Sequence, residues 1–307
     1  MNQTCKIVTY HYVRPIKNSK FPNVKGLELD GFSRQIDYFK KHFKIISQDE
    51  IIEHIYENKT FPSHSLLLTF DDGLKDHFQF VFPELKKHGI SGVFFPPSLP
   101  IEENIVLDVH KIHFILESVS DPSKIIKEIK LFFEDSLNEI GSFKQIYSKL
   151  ATFDRFDSPD IVFIKKLLQR ELPIKKRNEL TSNLFSTFVT TDEKSFSNEL
   201  YLTKNEILEM LEENMEFGSH SYSHEWLSFL PDLELKNELS KSKIFLKQLG
   251  VNNLTISYPY GNYNEKVENE SKKLNFKLGY TTEIGDTVLS ESGAFSLQRF
   301  DTNDFPQ

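Results

Sequence analysis

Apolar residues recur along this chain in two alternating rhythms. Short, nearly continuous apolar runs occur at 6–13 (KIVTYHYV), 65–70 (SLLLTF), 92–95 (GVFF), 215–219 (MEFGS), 254–261 (LTISYPYG), 277–282 (KLGYTT) and 294–300 (AFSLQRF). Their length and β-favouring composition predict strands. The segments between them carry helical spacing. Residues 31–43 place Phe32, Ile36 and Phe39 on one face, and 47–58, 74–89, 203–214, 233–250 and 264–276 repeat the pattern. Their ends are signposted: Ser47 or Asp49 opens one helix, and Thr203 with Glu206 has capping-box spacing. Lys-Lys-His-Gly at 86–89 and Gly250 close two others, and Pro83 predicts a kink or restart. The order strand, helix, strand predicts βα units, whose chemistry collects in loops at the strands' C-terminal ends.

Between about 105 and 200 the rhythm changes. Residues 106–119, 122–140, 160–173 and 175–189 all read as amphipathic helices, with no clear strand among them. The expected architecture is therefore α/β: about seven strands in a distorted or incomplete (β/α) barrel, interrupted by a helical insertion. Residues 1–100 and 201–307 would form the barrel, and 101–200 the insertion.

Composition narrows the picture. The chain has 307 residues, 38% of them hydrophobic, and 28 Phe against a single Trp, so the core is expected to be Phe-rich. A net charge of −8 argues against a nucleic-acid or anionic-membrane surface. With Cys5 alone, an internal disulfide and a cysteine-based zinc site are both excluded. The first residues show no charged region followed by an apolar run, and no window approaches the roughly 20 apolar residues of a membrane span. The expectation is a soluble cytoplasmic protein.

The apolar run at 65–70 stops on Asp71, Asp72 and Gly73. Asp-Gly is an ordinary turn signal, so a turn alone would explain it. Other reactive residues fall at equivalent places, however. His11 ends the first strand, His220 and His224 lie just past another, and Tyr258-Pro-Tyr-Gly ends a third. Two imidazoles four residues apart, joined by one carboxylate, make an open site suited to one divalent ion. Zinc is foremost, with cobalt, nickel or iron as alternatives. Asp108, His110 and His113 offer a weaker second candidate, against packed or solvated helix positions. His42, His54, His64, His77 and His88 read as surface residues. Tyr222, Trp226 and Tyr263 flank the motifs and suit either stacking on a sugar ring or packing.

Thr69-Phe-Asp-Asp-Gly73, followed by His220-Ser-Tyr-Ser-His224, resembles the first two motifs of the polysaccharide deacetylases, the NodB-like branch of carbohydrate esterases. Ser257-Tyr-Pro-Tyr-Gly261 resembles the third, Arg-x-Pro-Tyr-Gly. The resemblance covers about 5–97 and 203–300. It implies Asp71 as general base, and Asp72, His220 and His224 as metal ligands. It also implies the backbone N–H of Tyr260 as an oxyanion donor. Two features depart from the family. Ser257 stands where the third motif has Arg, and no histidine follows His224 to act as the usual general acid. Some members take that acid from an early Tyr-His segment. Tyr10-His11 is similar to it, which makes His11 the candidate acid against a plain strand histidine. Arg299 is the candidate replacement for the missing arginine, against an ordinary ion pair.

These readings predict a metal-dependent hydrolase that removes N-acetyl groups from a carbohydrate. With a cytoplasmic setting, a sugar nucleotide, lipid-linked sugar or nascent surface glycan would be the substrate. The rivals are a silent glycan-binding relative, an O-acetyl esterase or small-molecule amidase on the same fold, and an Fe(II) oxygenase.

Overall fold

The computed structural model describes residues 3–135, 142–153 and 157–307. Every residue of strand β3 (Ser65–Asp71) is buried. Strand β1 (Thr4–Tyr10) runs parallel to it, in register from Cys5–Ser65 to Tyr10–Phe70. On its other edge lies β4 (Val93–Phe95), with Phe95 opposite Asp71, and β5 (Glu216–Phe217) follows β4. A second parallel ladder joins β6 (Thr255–Ser257) to β7 (Leu278–Tyr280). Single bridges, Ser219–Ile256 and Tyr280–Leu297, link the two ladders, and β9 (Phe300–Asp301) returns parallel to β1. The two sheets of this β/α wall are joined only by such single bridges, which fits the distorted or incomplete (β/α) barrel the alternation predicts.

Nine strands occur among the described residues rather than about seven. The extra ones, β2 (Lys44–Ile45) and antiparallel β8 (Thr287–Val288), have two residues each, too short to leave a period in the sequence. The run at 254–261 yields a strand of three residues because Pro259–Gly261 turns into a 3₁₀ segment.

One rung of aromatic rings fixes the register just below the rim. Tyr10, Phe70, Phe94 and Phe217, one from each of β1, β3, β4 and β5, stack at centroid distances of 5.0, 4.8 and 5.4 Å. A slip by one residue would turn this face over, so the rung holds Asp71 and the ends of its neighbours level. Around the wall, helix Leu29–His42 buries Phe32, Ile36 and Phe39. Helices Gln48–Glu57 and Lys204–Glu212 begin with full capping boxes at Ser47/Glu50 and Thr203/Glu206. After β3 a π-helical turn, His77–Val81, passes into Phe82–His88, with Pro83 in the first turn and Gly89 left-handed at the end.

Met1–Pro15, Lys25–Asn104 and Asn198–Gln307 make one compact unit; Ile16–Val24 with Ile105–Ser197 makes the other. The second unit is helical, with Phe21, Phe114 and Phe196 in mutual ring contact. Of the helix expected over 122–140, Ser123–Asp135 is present and 136–140 lies outside the described residues. Among the described residues, no helix is long and apolar enough to cross a membrane.

Candidate active site

The answer to the paired carboxylates lies in the turn that follows them. Asp72 and Gly73 are both left-handed, at φ 73° and 60°. The chain therefore leaves the strand abruptly, and Asp71 and Asp72 acquire different neighbours. Gly73 is required here: a Cβ would sit 2.5 Å from Pro96 Cβ and 2.8 Å from Pro96 Cα. We expect Gly73→Ala to cost about 1–3 kcal/mol in chemical denaturation, from backbone strain and this clash. An unchanged midpoint would mean that the turn relaxes freely.

Asp72 faces the two histidines. Its Oδ1 lies 3.5 Å from His220 Nε2 and 3.4 Å from His224 Nε2, and all three residues are buried. One ligand atom from each lies within 4.8 Å of the others. His220 Nδ1 donates to the Ser257 carbonyl at 2.7 Å, which directs the lone pair of Nε2 toward Asp72. The loop that carries the histidines is shaped by its serines. Ser221 and His224 are left-handed, at φ 60° and 62°. Ser219 Oγ accepts from the Ser221 N–H, and Ser221 Oγ accepts from the His224 N–H, both at 3.0 Å. Glu238 accepts from the N–H groups of Tyr222 and Ser223. Burial acts to lower the pKa of His220, but Asp71 and Asp72 outweigh it and raise it. The site attracts positive charge, and two imidazoles with one carboxylate suit a divalent cation.

Although its charge still reaches His220, Asp71 is held by a different set of partners. Arg299 binds it through two parallel bonds, Nη1 to Oδ1 at 2.9 Å and Nη2 to Oδ2 at 2.8 Å. Ser257 Oγ donates to Oδ2 at 3.1 Å and accepts from Arg299 Nη2 at 3.0 Å. The guanidinium is itself anchored by the Thr281 carbonyl at 2.7 Å. Burial pushes the Asp71 carboxyl up, yet the Arg299 charge, with His220 and His11, brings it down to about 2.

Of the other sequence candidates, His11 lies one residue beyond β1 with an exposed side chain. It is near enough to Asp71 for its charge to act on that carboxyl. Tyr260, left-handed at φ 58°, sets its ring edge-on to His224 at 4.7 Å and stacks on Trp226 at 4.2 Å. Tyr263 stacks instead on Tyr258, and Tyr222 lies under Lys241. The alternative cluster does not assemble as a metal site. Among the described residues the Asp72 group alone has metal-compatible spacing, while Asp108 lies 3.7 Å from Arg177. His77 is no surface residue: it is fully buried, with its ring against Phe70 and Phe94. Sequence reasoning also missed Ser257 as a link between Asp71, Arg299 and His220, since a serine in place of arginine looks only like a loss.

Comparison with known proteins sets this geometry in context. The family described as Polysaccharide deacetylase matches residues 149–279, a span that holds His220, His224 and Tyr260 but neither Asp71 nor Asp72. The Bacillus subtilis (strain 168) protein named "Putative polysaccharide deacetylase YxkH" is 27% identical over 132 residues. That match spans 43% of this chain and 45% of the relative, less than half of its length. Among solved structures, the Streptococcus pyogenes deacetylase PplD in complex with acetate has a TM-score of 0.62 at 19% identity, over 98% of this chain and 93% of that one. IcaB from Ammonifex degensii has a TM-score of 0.58 at 15% identity, over 97% and 91%. The BpsB deacetylase domain from Bordetella bronchiseptica has a TM-score of 0.58 at 16% identity, over 97% and 95%. These likenesses extend to the fold.

Proposed function

We propose that the chain is a member of the polysaccharide deacetylase family, a reading its family match and its relative support, and that it is a metal-dependent hydrolase removing N-acetyl groups from a carbohydrate. The observation that carries the proposal is the meeting, at one rim, of the Asp72–His220–His224 group and the separately clamped Asp71. A divalent cation held by Asp72, His220 and His224 would supply Lewis acidity, polarising the acetyl carbonyl and making a water more acidic. Asp71 takes the proton of the attacking water as its oxygen bonds to the carbonyl carbon. Its low pKa makes it a weak base, so its contribution is orientation: Arg299 and Ser257 leave it ionised and fixed in direction. The Tyr260 N–H stabilises the negative charge that develops on the carbonyl oxygen. His11 gives a proton to the amide nitrogen as the C–N bond breaks, releasing the amine and acetate.

Arg299 supports this reading over a silent binder, since it supplies, from the residue before β9, the cationic partner that Ser257 cannot. The β/α wall speaks against an Fe(II) oxygenase, which would be expected on a double-sheet β fold. The acetate held by the PplD structure is the product such a hydrolase would release. Zinc as the ion, surface-polysaccharide synthesis as the setting and a cytoplasmic location complete the proposal. The test is acetate release from N-acetylated sugar nucleotides, N-acetylated oligosaccharides and O-acetylated sugars. Each is assayed after chelation and again with Zn²⁺, Co²⁺ or Ni²⁺ restored. Release from N-acetylated sugars that stops on chelation and returns with metal is expected. Metal uptake with no acetate from any N-acetylated member would count against it, and O-acetyl release alone would make the protein an esterase.

A further inference from the structure

The segment His11–Arg14 leaves β1 beside Asp71 and is gripped from two sides. On one side, Leu27 donates its N–H to the Tyr12 carbonyl at 2.9 Å and accepts from the Arg14 N–H at 3.2 Å. On the other side stand two consecutive residues at the start of the helical segment that follows β3. Asp76 is buried and accepts from Arg14 Nε at 2.6 Å, and Val13 hydrogen-bonds it through its backbone. His77, fully buried, places Nε2 at 3.0 Å from the His11 carbonyl oxygen. A carbonyl only accepts, so Nε2 carries the hydrogen.

We propose that Asp76 and His77 are positioning residues, a two-point clamp that fixes the main chain of His11 against the Asp71–Asp72 turn and so aims its side chain at the leaving nitrogen. The inference rests on the reading of His11 as the acid. Asp76 and His77 bond directly to the His11–Arg14 segment, and the helical turn they open follows closely on the paired carboxylates. The clamp therefore ties the segment of the acid to the turn that carries the base.

Packing alone does not account for His77. Its ring lies against the stacked pair Phe70 and Phe94, with centroids 5.6 Å from each, a place that suits a hydrocarbon ring. Nδ1 has no hydrogen-bond partner among the described residues, which makes a buried imidazole an expensive filler. Burial pulls its pKa down to about 4, so the ring is neutral and holds the single hydrogen that the His11 carbonyl receives. Phenylalanine would fill the space and lose only that bond.

The test compares His77→Phe, His77→Gln, Asp76→Asn and His11→Asn on two probes. One is an N-acetylglucosamine pentamer, whose amine leaves only when protonated. The other is 4-nitrophenyl acetate, whose phenolate leaves unaided. Hydrogen exchange over residues 9–15 gives a readout that needs no substrate. We expect His77→Phe to keep or raise the melting temperature, to speed exchange in 9–15, and to lower kcat on the pentamer on the order of ten- to a hundredfold. Its KM and its ester rate should be nearly unchanged. His77→Gln, which restores a donor, should recover part of the loss, and Asp76→Asn should speed the same exchange. Unchanged exchange in His77→Phe, or equal losses on both probes, overturns the clamp. If His11→Asn loses both activities equally, His11 is not the acid and that reading fails. Exchange over 9–15 still decides whether the clamp exists.

Discussion

Asp71→Asn should keep its divalent cation and lose most of its turnover, on the order of 10²–10⁴-fold in kcat. The reasoning starts from the division between two neighbouring carboxylates. Asp72 Oδ1 lies with His220 and His224, whereas both oxygens of Asp71 are engaged by Arg299 and Ser257. Replacing Asp71 leaves the three ligand atoms in place and removes the group that takes the proton. Asp72→Ala should do the reverse and lose the metal with the activity. The two variants separate by metal analysis alone, before any rate is compared. Because Asp71→Asn also leaves the Arg299 charge buried beside a neutral amide, its melting temperature should fall, and rates must be read well below it. An Asp71→Asn protein with full metal and near-normal turnover would remove Asp71 from the role of base.

Which residues would meet was legible where local pattern and strand ends coincide. Asp71 and Asp72 stop a fully apolar strand, and His220 and His224 follow a short one at a spacing two ligands can share. Parallel strands in register bring such ends to one rim, so no distant information was needed. Arg299 is different. It stands 228 residues from Asp71, and only the return of β9 beside β1 brings the two together. A single arginine in a weak apolar run carries no local sign of that closure. His77 misled for another reason: it lies inside an amphipathic segment, where the ordinary helical face would put it near solvent. The π-helical turn His77–Val81 changes the facing of that first turn, and the ring enters the core. The two-residue strands β2 and β8 carry no period at all. Ser257 was read as a missing arginine, because a motif shows which residue type is absent and not which strand supplies the substitute.

Arg299→Met should be the most destabilising single change at the site, by about 3–5 kcal/mol, because it leaves a buried carboxylate without its counter-charge. The pH dependence gives the sharper test. In the unaltered protein Asp71 sits at about 2, below the roughly 3.9 of an unfolded aspartate. A depressed folded pKa contributes stability that is complete above the unfolded value and fades as pH falls toward 2. Here the contribution is about 2–3 kcal/mol. Without the guanidinium, burial acts on Asp71 with its main opponent gone, and the folded pKa should rise past the unfolded one. The sign then reverses: the Arg299→Met protein should lose less stability than the unaltered one as the solution is acidified from about pH 5 to pH 2. Chemical denaturation of metal-free protein at several pH values measures this directly. The double variant Asp71→Asn/Arg299→Met, with both charges gone, should cost less than the two single losses added together. Arg299→Lys should keep the charge but not the paired bonds, recovering stability more fully than turnover. Strict additivity, together with parallel pH profiles for Arg299→Met and the unaltered protein, would mean that the arginine neither holds the base in its charged form nor aims it. The serine of the third motif would then have no substitute.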